Sequence, residues 1–303
     1  MKSNDLKLSV VVCTHNREAY LPECLENLSK QNAANELFEI IVVNNNCTDG
    51  TESICLEFEK QHPELNFVYT KENKPGLSNA RNKGIETAKG KLISFIDDDG
   101  FAREDYVSEI VAIAENPTYN NYIAFGGKVI PRYNPGMEPN WLSKYINGVV
   151  SKVDLGEKIV PFTSKYPAGC NMIFRSEFFE QHGGFNADLE IRGDDKFVFL
   201  KLKAAGLKIL YVPTIYVEHF MDDFRLEYKF LQRLSKIIGQ SERLRLKGQT
   251  FQLFKKFVEY VFKYKVSLIL AFGFLLKGER LKAKYIVMVR WNVLRGFFMK
   301  NIK

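Results

Sequence analysis

The sequence has few cysteines, and those it has form no recognisable ligand or disulfide pattern. An odd number of cysteines without any C-x-x-C pair argues against a disulfide framework and against a structural zinc site. The five cysteines are Cys13, Cys24, Cys47, Cys55 and Cys170. The apolar stretch from Leu8 to Cys13 is too short for the hydrophobic segment of a signal peptide, so we expect a cytoplasmic protein.

Two further patterns are missing from the chain. A membrane-spanning helix needs about 20 consecutive apolar residues, whereas the longest uncharged run in the C-terminal part, from Val266 to Leu276, has 11. This run is therefore not expected to cross a membrane. No G-x-G-x-x-G sequence follows any apolar run, which disfavours a nicotinamide-binding Rossmann domain.

Positive charge is concentrated at the C-terminal end of the chain. The whole sequence carries a formal net charge of +7, but residues 226–303 contain 18 Lys and Arg against 4 Asp and Glu. Such a basic tail predicts a polyanionic partner. Lysines bracket the uncharged run as in helices that lie in a membrane interface, so an anionic membrane surface is one partner. The alternative is an ordinary helical subdomain, and nucleic acid is disfavoured because the acidic body would be repelled by phosphates.

Apolar runs and helical patterns alternate along the first half of the chain. Strands are predicted at residues 8–13, 39–43 and 66–70, separated by helices at 19–31 and 48–61. This alternation predicts an α/β fold with a largely parallel sheet. The later predictions are helices at 77–88, 103–115 and 195–205, strands at 122–130, 170–174, 207–212 and 215–219, and helices beyond residue 223.

An acidic triplet follows the buried strand predicted around Leu92 to Ile96. Asp97, Asp98 and Asp99 repel one another unless a cation lies among them. In open α/β sheets ligands bind outside the carboxyl ends of strands, and carboxylates there hold divalent cations together with substrate phosphates. The triplet therefore predicts a metal–diphosphate site, with a solvated acidic turn as the alternative.

Polar loops after other predicted strands are expected to meet the triplet. Thr14 and Asn16 can bond a base or ribose, and Arg17 can reach a phosphate. Asn44 and Asn45 both donate and accept hydrogen bonds, which suits the edge of a base. The alternatives are a strand-to-helix loop with Asn16 as a cap and a polar turn before the helix at Thr48.

Taken together, these residues resemble the family 2 glycosyltransferases, which are inverting enzymes of the GT-A fold. The similarity covers roughly residues 7 to 220, in the order and spacing of the family. The matching segments are SVVVCTHNREAYLPECLENL, IIVVNNNCTDGT, NKPGLSNARNKGI, ISFIDDDG, AGCNMIFRSEFFEQHGGFN and RGDDKFVFLKLKAAGLKILYVP. The resemblance implies a GT-A catalytic domain at residues 1–225 and a basic, mostly helical region at 226–303.

The resemblance also implies a nucleotide-diphosphate sugar donor and a divalent metal, manganese or magnesium. Arg81 lies near the diphosphate in the implied site, and Asn44 stands where the family usually has a uracil-reading Asp. Asp97 and Asp99 flank the D-x-D motif, with Asp99 the preferred metal ligand. His219 matches a histidine that completes the metal site in several relatives, although a lone histidine at a strand end is more often structural.

The resemblance places the general base at Asp195, next to Asp194, where the family has a Glu-Asp pair. An inverting transfer needs one base that removes the proton of the attacking acceptor hydroxyl. Two acids that open a helix are also favourable partners of the helix dipole, and sequence order leaves this alternative open. Phe197 stands where the family often has a further acid.

The predicted reaction moves a sugar from a UDP-sugar to an acceptor sugar hydroxyl with inversion. The acceptor is expected to be a saccharide or lipid-linked saccharide in the synthesis of a surface polysaccharide or glycolipid. The irregular segment 131–167, with Tyr133, Trp141 and Tyr145, is an acceptor-loop candidate, unless these aromatics fold it onto the sheet. The rival functions are a sugar nucleotidyltransferase, which needs no base, and an inactive membrane-associated scaffold.

Overall fold

A computed structural model describes residues 6–134, 136–163, 165–188 and 193–299 of the chain. The described residues form two compact units. The sheet unit lies within residues 1–130, 153–190 and 194–220, and the helical unit within residues 131–152, 191–193 and 221–303. The predicted boundary at residue 225 stays a prediction.

The sheet unit contains a mixed β-sheet. Its strands are β1 (Leu8–Thr14), β2 (Phe38–Asn44), β3 (Phe67–Lys71), β4 (Leu92–Asp97), β5 (Gly100–Ala102), β6 (Tyr122–Tyr133), β7 (Val160–Pro161), β8 (Met172–Arg175) and β9 (Lys208–Met221). They are ordered β3-β2-β1-β4-β8-β6-β9-β5, with β7 beside β9. The first four are parallel, while β8 runs antiparallel to β4 and β6, and β9 antiparallel to β5 and β7.

Helices cover both faces of this sheet. They are α1 (Leu21–Ser29), α2 (Thr51–Gln61), α3 (Leu77–Thr87), α4 (Tyr106–Glu115), α5 (Ser176–His182) and α6 (Asp194–Ala204). Because successive side chains of a strand point to opposite faces, Val10 and Val12 join the core that holds α1 and α4, while Val11 joins the core that holds α5 and α6. The predicted α/β class is confirmed.

Four features of the sheet unit differ from the prediction. Residues 207–219 were expected to form two strands, but β9 is one continuous strand through Pro213. The prediction is wrong because the fixed φ of proline is compatible with an extended strand, although proline cannot donate to the ladder. The short strands β5 and β7 and the helix α5 were not predicted.

The helical unit is built from α7 (Asp223–Leu226), α8 (Tyr228–Arg245), α9 (Thr250–Leu276) and α10 (Arg280–Phe298). Residues of the 131–152 segment belong to its core: Trp141 is 7% exposed, and its ring stacks on Tyr285 of α10 at 4.6 Å between centroids. Tyr133 is also buried, while Tyr145 is 39% exposed. Tyr133 and Trp141 therefore pack among helices rather than against the sheet or in an open acceptor loop.

Helices α8 and α10 cross at two glycines. A Cβ atom added to Gly239 would lie 2.0 Å from the carbonyl oxygen of Val293, and one added to Gly296 would lie 2.1 Å from that of Lys236. The two helix backbones therefore touch where neither residue has a side chain. No helix among the described residues is both long enough and apolar enough to span a membrane.

Candidate active site

Three neighbouring parallel strands end together at one edge of the sheet. Thr14 of β1 is in register with Asn44 of β2, and Cys13 of β1 is in register with Asp97 of β4. Parallel strands in register bring the loops that follow them to the same edge. The structure therefore brings the three predicted strand-end segments together.

His219 reaches the acidic triplet through the pairing of β5 with β9. Gly100, directly after the triplet, is the register partner of His219. As a result His219 Nε2 lies 3.0 Å from Asp99 Oδ1 and 3.9 Å from Asp97 Oδ2. His219 follows Asp99 by 120 residues in the sequence, and the pairing of β5 with β9 places the two side by side.

Asp98 and Asp99 are buried beside the guanidinium group of Arg17. Arg17 Nη2 lies 2.5 Å from Asp99 Oδ2, and its Nε lies 3.7 Å from Asp98 Oδ1. Burial, and then the charge of Asp99, raise the pKa of Asp98 to about 7, although Arg17 opposes both effects. Arg17, predicted to reach a phosphate, is thus already engaged with two of the three carboxylates.

Arg81 is buried at the centre of the site. It is 3% exposed, and its Nη1 donates to Asp194 Oδ2 at 2.7 Å. Its Nη2 donates to Asp97 Oδ1 at 3.4 Å and to the Gly169 carbonyl at 3.2 Å. Burial lowers the pKa of Arg81, but the charges of Asp194 and Asp97 outweigh burial and raise it. One cation therefore joins the acidic triplet to the start of α6.

Asp195 lies next to this ion pair. Its Oδ1 accepts a hydrogen bond from the Lys196 amide at 2.7 Å, and its Oδ2 would lie 3.5 Å from a Cβ atom added to Gly169. Burial and then the charge of Asp194 raise the pKa of Asp195, while Arg81 opposes them. A carboxyl group with a raised pKa is a stronger base once it is ionised.

The side chains of the three asparagines of the predicted donor site are hydrogen-bonded to other residues of the protein. Asn16 has a positive φ of 52°, and its Oδ1 accepts from the Thr48 amide at 2.7 Å. Asn44 Nδ2 donates to the Tyr69 hydroxyl at 2.8 Å, and its Oδ1 accepts from the Cys47 amide at 2.8 Å. These bonds shape the strand-end turns, so the predicted contacts of Asn16 and Asn44 with a base stay predictions.

The side chain of Asn45 is hydrogen-bonded to the loop that precedes α3. Its Nδ2 donates to the carbonyl groups of Glu72 and Lys74, and its Oδ1 accepts from the Gly76 amide at 2.9 Å. Both the NH₂ group and the carbonyl oxygen of the side-chain amide are therefore hydrogen-bonded, and Asn45 is 4% exposed. Its predicted role in reading a base edge likewise stays a prediction.

Asp97, His219 and Cys170 form a group that fits a divalent cation. Each offers one ligand atom, and the three atoms lie within 4.8 Å of one another. Nδ1 of the buried His219 has no hydrogen-bond partner among the described residues. Carboxylate ligands suit manganese and magnesium, so the carboxylates of this site fit the implied metal. The group contains Asp97 rather than Asp99, which was the preferred ligand from the sequence and lies instead against Arg17 and His219.

Cys170 was not anticipated as part of this site. It is 2% exposed, and burial, then the charges of Asp97 and Asp99, raise the pKa of its thiol well above the usual range. Without a metal it is therefore a neutral thiol beside the carboxylates.

Comparison with protein families matches residues 9–183 to the glycosyl transferase family 2, more than half of the chain. Glycosyltransferase GlyA of Streptococcus pneumoniae is 27% identical over 69% of this chain, which spans 30% of that relative's length. The glucosyl-dolichyl phosphate glucuronosyltransferase of Haloferax volcanii is 26% identical over 79% of this chain and 77% of the relative.

Solved structures with similar folds include two glycosyltransferases. The mannosyltransferase PcManGT of Pyrobaculum calidifontis, in complex with GDP-Man and Mn²⁺, has a TM-score of 0.64 at 17% identity, over 95% of this chain and 87% of that one. TarS 1-349 of Staphylococcus aureus, in complex with UDP, has a TM-score of 0.56 at 16% identity, over 96% of this chain and 91% of that one. At these identities the likeness concerns the fold, which is GT-A.

Proposed function

The chain belongs to glycosyl transferase family 2, and from this premise we propose that it is an inverting, metal-dependent enzyme that moves a sugar from a nucleotide-diphosphate donor to a saccharide hydroxyl. The observation that carries the proposal is the bridge through Arg81, which is bonded both to Asp194, next to the proposed base, and to Asp97 of the acidic triplet. Inverting transfer needs a base and a leaving-group site close together, and this bridge supports their placement around one centre.

We propose a UDP-sugar as the donor. TarS has been solved with UDP and with UDP-GlcNAc, and PcManGT with GDP-Man, so the fold accepts either base. Thr14, Asn16 and Arg17 border the nucleoside in this proposal, and Asn44 and Asn45 act by shaping the loops that surround it. Asp97 and Asp98 face the diphosphate.

Asp195 is the proposed general base. Its carboxylate takes the proton of the acceptor hydroxyl as the hydroxyl oxygen bonds to the anomeric carbon. At the same time the bond from that carbon to the diphosphate oxygen breaks, and the nucleotide diphosphate leaves with the electron pair. Because attack comes from the face opposite the leaving group, the anomeric configuration inverts. The raised pKa of Asp195 favours this proton transfer.

The divalent metal, manganese or magnesium, would be held by Asp97 and His219 with Asp99 and Cys170 beside them. When bound, it supplies positive charge to the departing diphosphate. Arg81 holds Asp97 and Asp194 in place. In this proposal Arg81 acts mainly by positioning these two carboxylates rather than by lying open to the phosphates.

The acceptor is proposed to be a saccharide or a lipid-linked saccharide, in the synthesis of a surface polysaccharide or glycolipid. The basic C-terminal region suits such an acceptor, because lysine and arginine draw a protein towards an anionic membrane surface. We place the enzyme on the cytoplasmic side. All five cysteines are free, which is usual in a reducing compartment.

Calorimetric titration with UDP tests the donor site. We expect a Kd in the range of about 1 μM to 1 mM with Mn²⁺, and binding at least about tenfold weaker with EDTA or in Asp97→Ala, because the metal and its ligand are both needed to neutralise the diphosphate. Asp188→Ala, which removes an exposed carboxylate of the sheet unit, is the matched control and should bind as the unaltered chain does.

Two results would change this proposal. Binding of GDP or dTDP in place of UDP would correct the base while leaving the diphosphate site intact. No binding of UDP, GDP or dTDP in the presence of Mn²⁺ would overturn the proposal and favour the scaffold function.

A further inference from the structure

Helix α9 presents a row of large apolar side chains to solvent. Seven of them on one side of the helix are between 47% and 74% exposed, an arrangement that is unusual for one helix of a soluble protein, where such patches mark interaction sites. We call this row the outer face of α9. Its members are Phe251 (74%), Phe254 (63%), Val258 (47%), Phe262 (65%), Ile269 (72%), Phe272 (63%) and Leu276 (74%).

The outer face is continuous and lies opposite the packed side of the helix. At 100° per residue, the seven side chains fall within an arc of about 80°, whereas the buried Tyr260, Ser267 and Ala271 lie on the opposite side. The helix has 27 residues and is therefore about 40 Å long. The packing of the helical unit uses one side of α9 and leaves the other uncovered by the described residues.

Lysines accompany the outer face along its length. Residues 250–284 carry eight Lys and Arg against two Glu. Lys255, Lys265 and Lys277 are exposed, and Lys265 falls within the arc of the outer face itself. A lysine in that position can lay its alkyl chain along an apolar surface while its ammonium group stays in water.

We propose that the outer face of α9 docks onto an anionic membrane surface, with its phenylalanines at the boundary between headgroups and acyl chains. Interfacial helices combine an apolar face with flanking lysines in this way. A second copy of this chain is the other occupant to consider. Charge complementarity favours the membrane, because two such faces would bring two sets of excess positive charge together, whereas anionic headgroups would neutralise each set.

The sequence alone indicated the uncharged run from Val266 to Leu276 and the lysines that bracket it. The structure extends the surface by four turns, to Phe251, and names the side chains that would enter the membrane. The proposal rests on the proposed function only for the location of the acceptor. Docking itself requires neither donor nor metal, so it can be tested separately from catalysis.

Vesicle flotation with the full chain, without nucleotide or metal, tests the proposal. The probes are vesicles of phosphatidylcholine alone and vesicles in which about a third of the lipid is phosphatidylglycerol. The apolar variant carries Phe254→Gln, Phe262→Gln and Phe272→Gln, and its matched control is Leu56→Gln, at a residue of the sheet unit that is 53% exposed.

A charge variant tests the contribution of the lysines to membrane binding. It carries Lys255→Gln, Lys265→Gln and Lys277→Gln, and its control makes the same change at three exposed lysines of the sheet unit, Lys60, Lys158 and Lys208. The charge variant and its control change the net charge of the protein by the same amount. Each lysine near an anionic surface changes binding by about fivefold, so the three changes on α9 should weaken binding about 100-fold, and the control much less.

We expect the unaltered chain and Leu56→Gln to float with anionic vesicles and the apolar variant to stay in solution. The six altered side chains are exposed, so circular dichroism should find both α9 variants folded. Flotation of the apolar variant as strongly as the unaltered chain would overturn the proposal. So would failure of the unaltered chain to float, and a dimer in light scattering that the apolar variant converts to monomer would then assign the face to a second copy.

Discussion

At the scale of single residues, Arg81 is the centre of the candidate site. Its guanidinium group meets two carboxylates and one carbonyl, so both of its terminal nitrogens have an acceptor. A lysine cannot reproduce this geometry, because it carries its charge at a single nitrogen rather than in a planar fork. Asp194, next to the proposed base, and Asp97, the proposed metal ligand, are therefore both held by one side chain.

Replacement of the proposed base separates chemistry from donor binding. In Asp195→Asn we expect kcat to fall by about 10² to 10⁴, because no group remains to take the hydroxyl proton. Affinity for UDP, measured by calorimetry, should change by less than about threefold, since the base acts on the acceptor rather than the donor. Asp188→Asn is the control and should keep full activity.

Retention of more than about a tenth of the activity in Asp195→Asn would show that the reaction needs no base at this position. That result would favour nucleotidyl transfer, in which a phosphate is the nucleophile.

Asp98 is expected to destabilise the metal-free protein at neutral and alkaline pH. Its pKa rises to about 7 in the folded state, so between about pH 4 and 7 the folded chain binds more protons at this carboxyl than the unfolded chain. Stability is therefore lost as the pH rises through this window. In urea unfolding with EDTA, Asp98→Asn should raise the free energy of unfolding by about 1–3 kcal/mol at pH 8 and far less at pH 4.

The stabilisation should depend on pH if the charge of Asp98 is its cause. An equal gain at both pH values would contradict the burial of an ionised carboxylate here. Asp188→Asn, at an exposed position, should leave the unfolding free energy within about 0.5 kcal/mol at either pH.

The candidate site was predictable where its residues sit directly after strands. Thr14, Asn44 and Asp97 come together because neighbouring parallel strands end at one edge, and that rule requires no knowledge of side chains. The hydrogen bonds that occupy Asn44 and Asn45 depend on distant partners such as Tyr69 and Gly76. Cys170 carried no signal either, since a single cysteine in an apolar segment reads as a core residue.

At the scale of helices and strands, the crossing of α8 and α10 depends on two glycines. Gly239→Ala and Gly296→Ala should each lower the stability of the helical unit by about 1–3 kcal/mol, because a methyl group would overlap the facing backbone. Thermal unfolding followed by circular dichroism measures the loss.

The matched control for these substitutions lies on α9. A Cβ atom added to Gly273 would meet nothing within 4 Å, so Gly273→Ala should stabilise the protein by about 0.5–1 kcal/mol through helix propensity alone. Destabilisation by all three substitutions alike would contradict the close contact of α8 with α10.

Element boundaries were predicted well where apolar runs are long. Strands β1, β2 and β3 and helices α1 and α2 lie within a few residues of the positions expected from periodicity. The three-residue strand β5 is too short for any period to be visible, and it forms because β9 offers it hydrogen-bond partners. Elements that exist only through tertiary pairing leave no local pattern in the sequence.

At the scale of the whole molecule, family membership and the GT-A fold were both foreseen from the order of the motifs, and both are confirmed. The sequence did not reveal which residues make up the helical unit. Its core draws on Trp141, Leu142 and Ile146 from the middle of the chain as well as on the C-terminal helices. Sequence reasoning placed this segment with the catalytic domain, because nothing local reveals which unit an apolar side chain will join.

A chain ending at residue 225 is expected to aggregate, because these apolar side chains of segment 131–152 would lose the helices that cover them. A chain of residues 1–221 in which a short Gly-Ser linker replaces 131–152 should stay soluble. The linker is feasible since Val129 and Val153 already form a β-bridge, with an N–O distance of 2.9 Å. Size-exclusion chromatography and dye binding to exposed apolar surface distinguish the two.

Equal solubility of both chains would contradict the assignment of segment 131–152 to the helical unit. Insolubility of both would instead mean that the sheet unit itself needs the C-terminal helices.

The split of the helical unit along the chain has a consequence for synthesis on the ribosome. Trp141 stacks on Tyr285, which is made 144 residues later. At about 5–20 residues per second, the earlier segment waits roughly 7–30 s for its partner. Residues 153–220 of the sheet unit are made during the same interval, while the indole still lacks the ring on which it stacks. The core of the helical unit therefore closes only after the whole sheet unit has been synthesised.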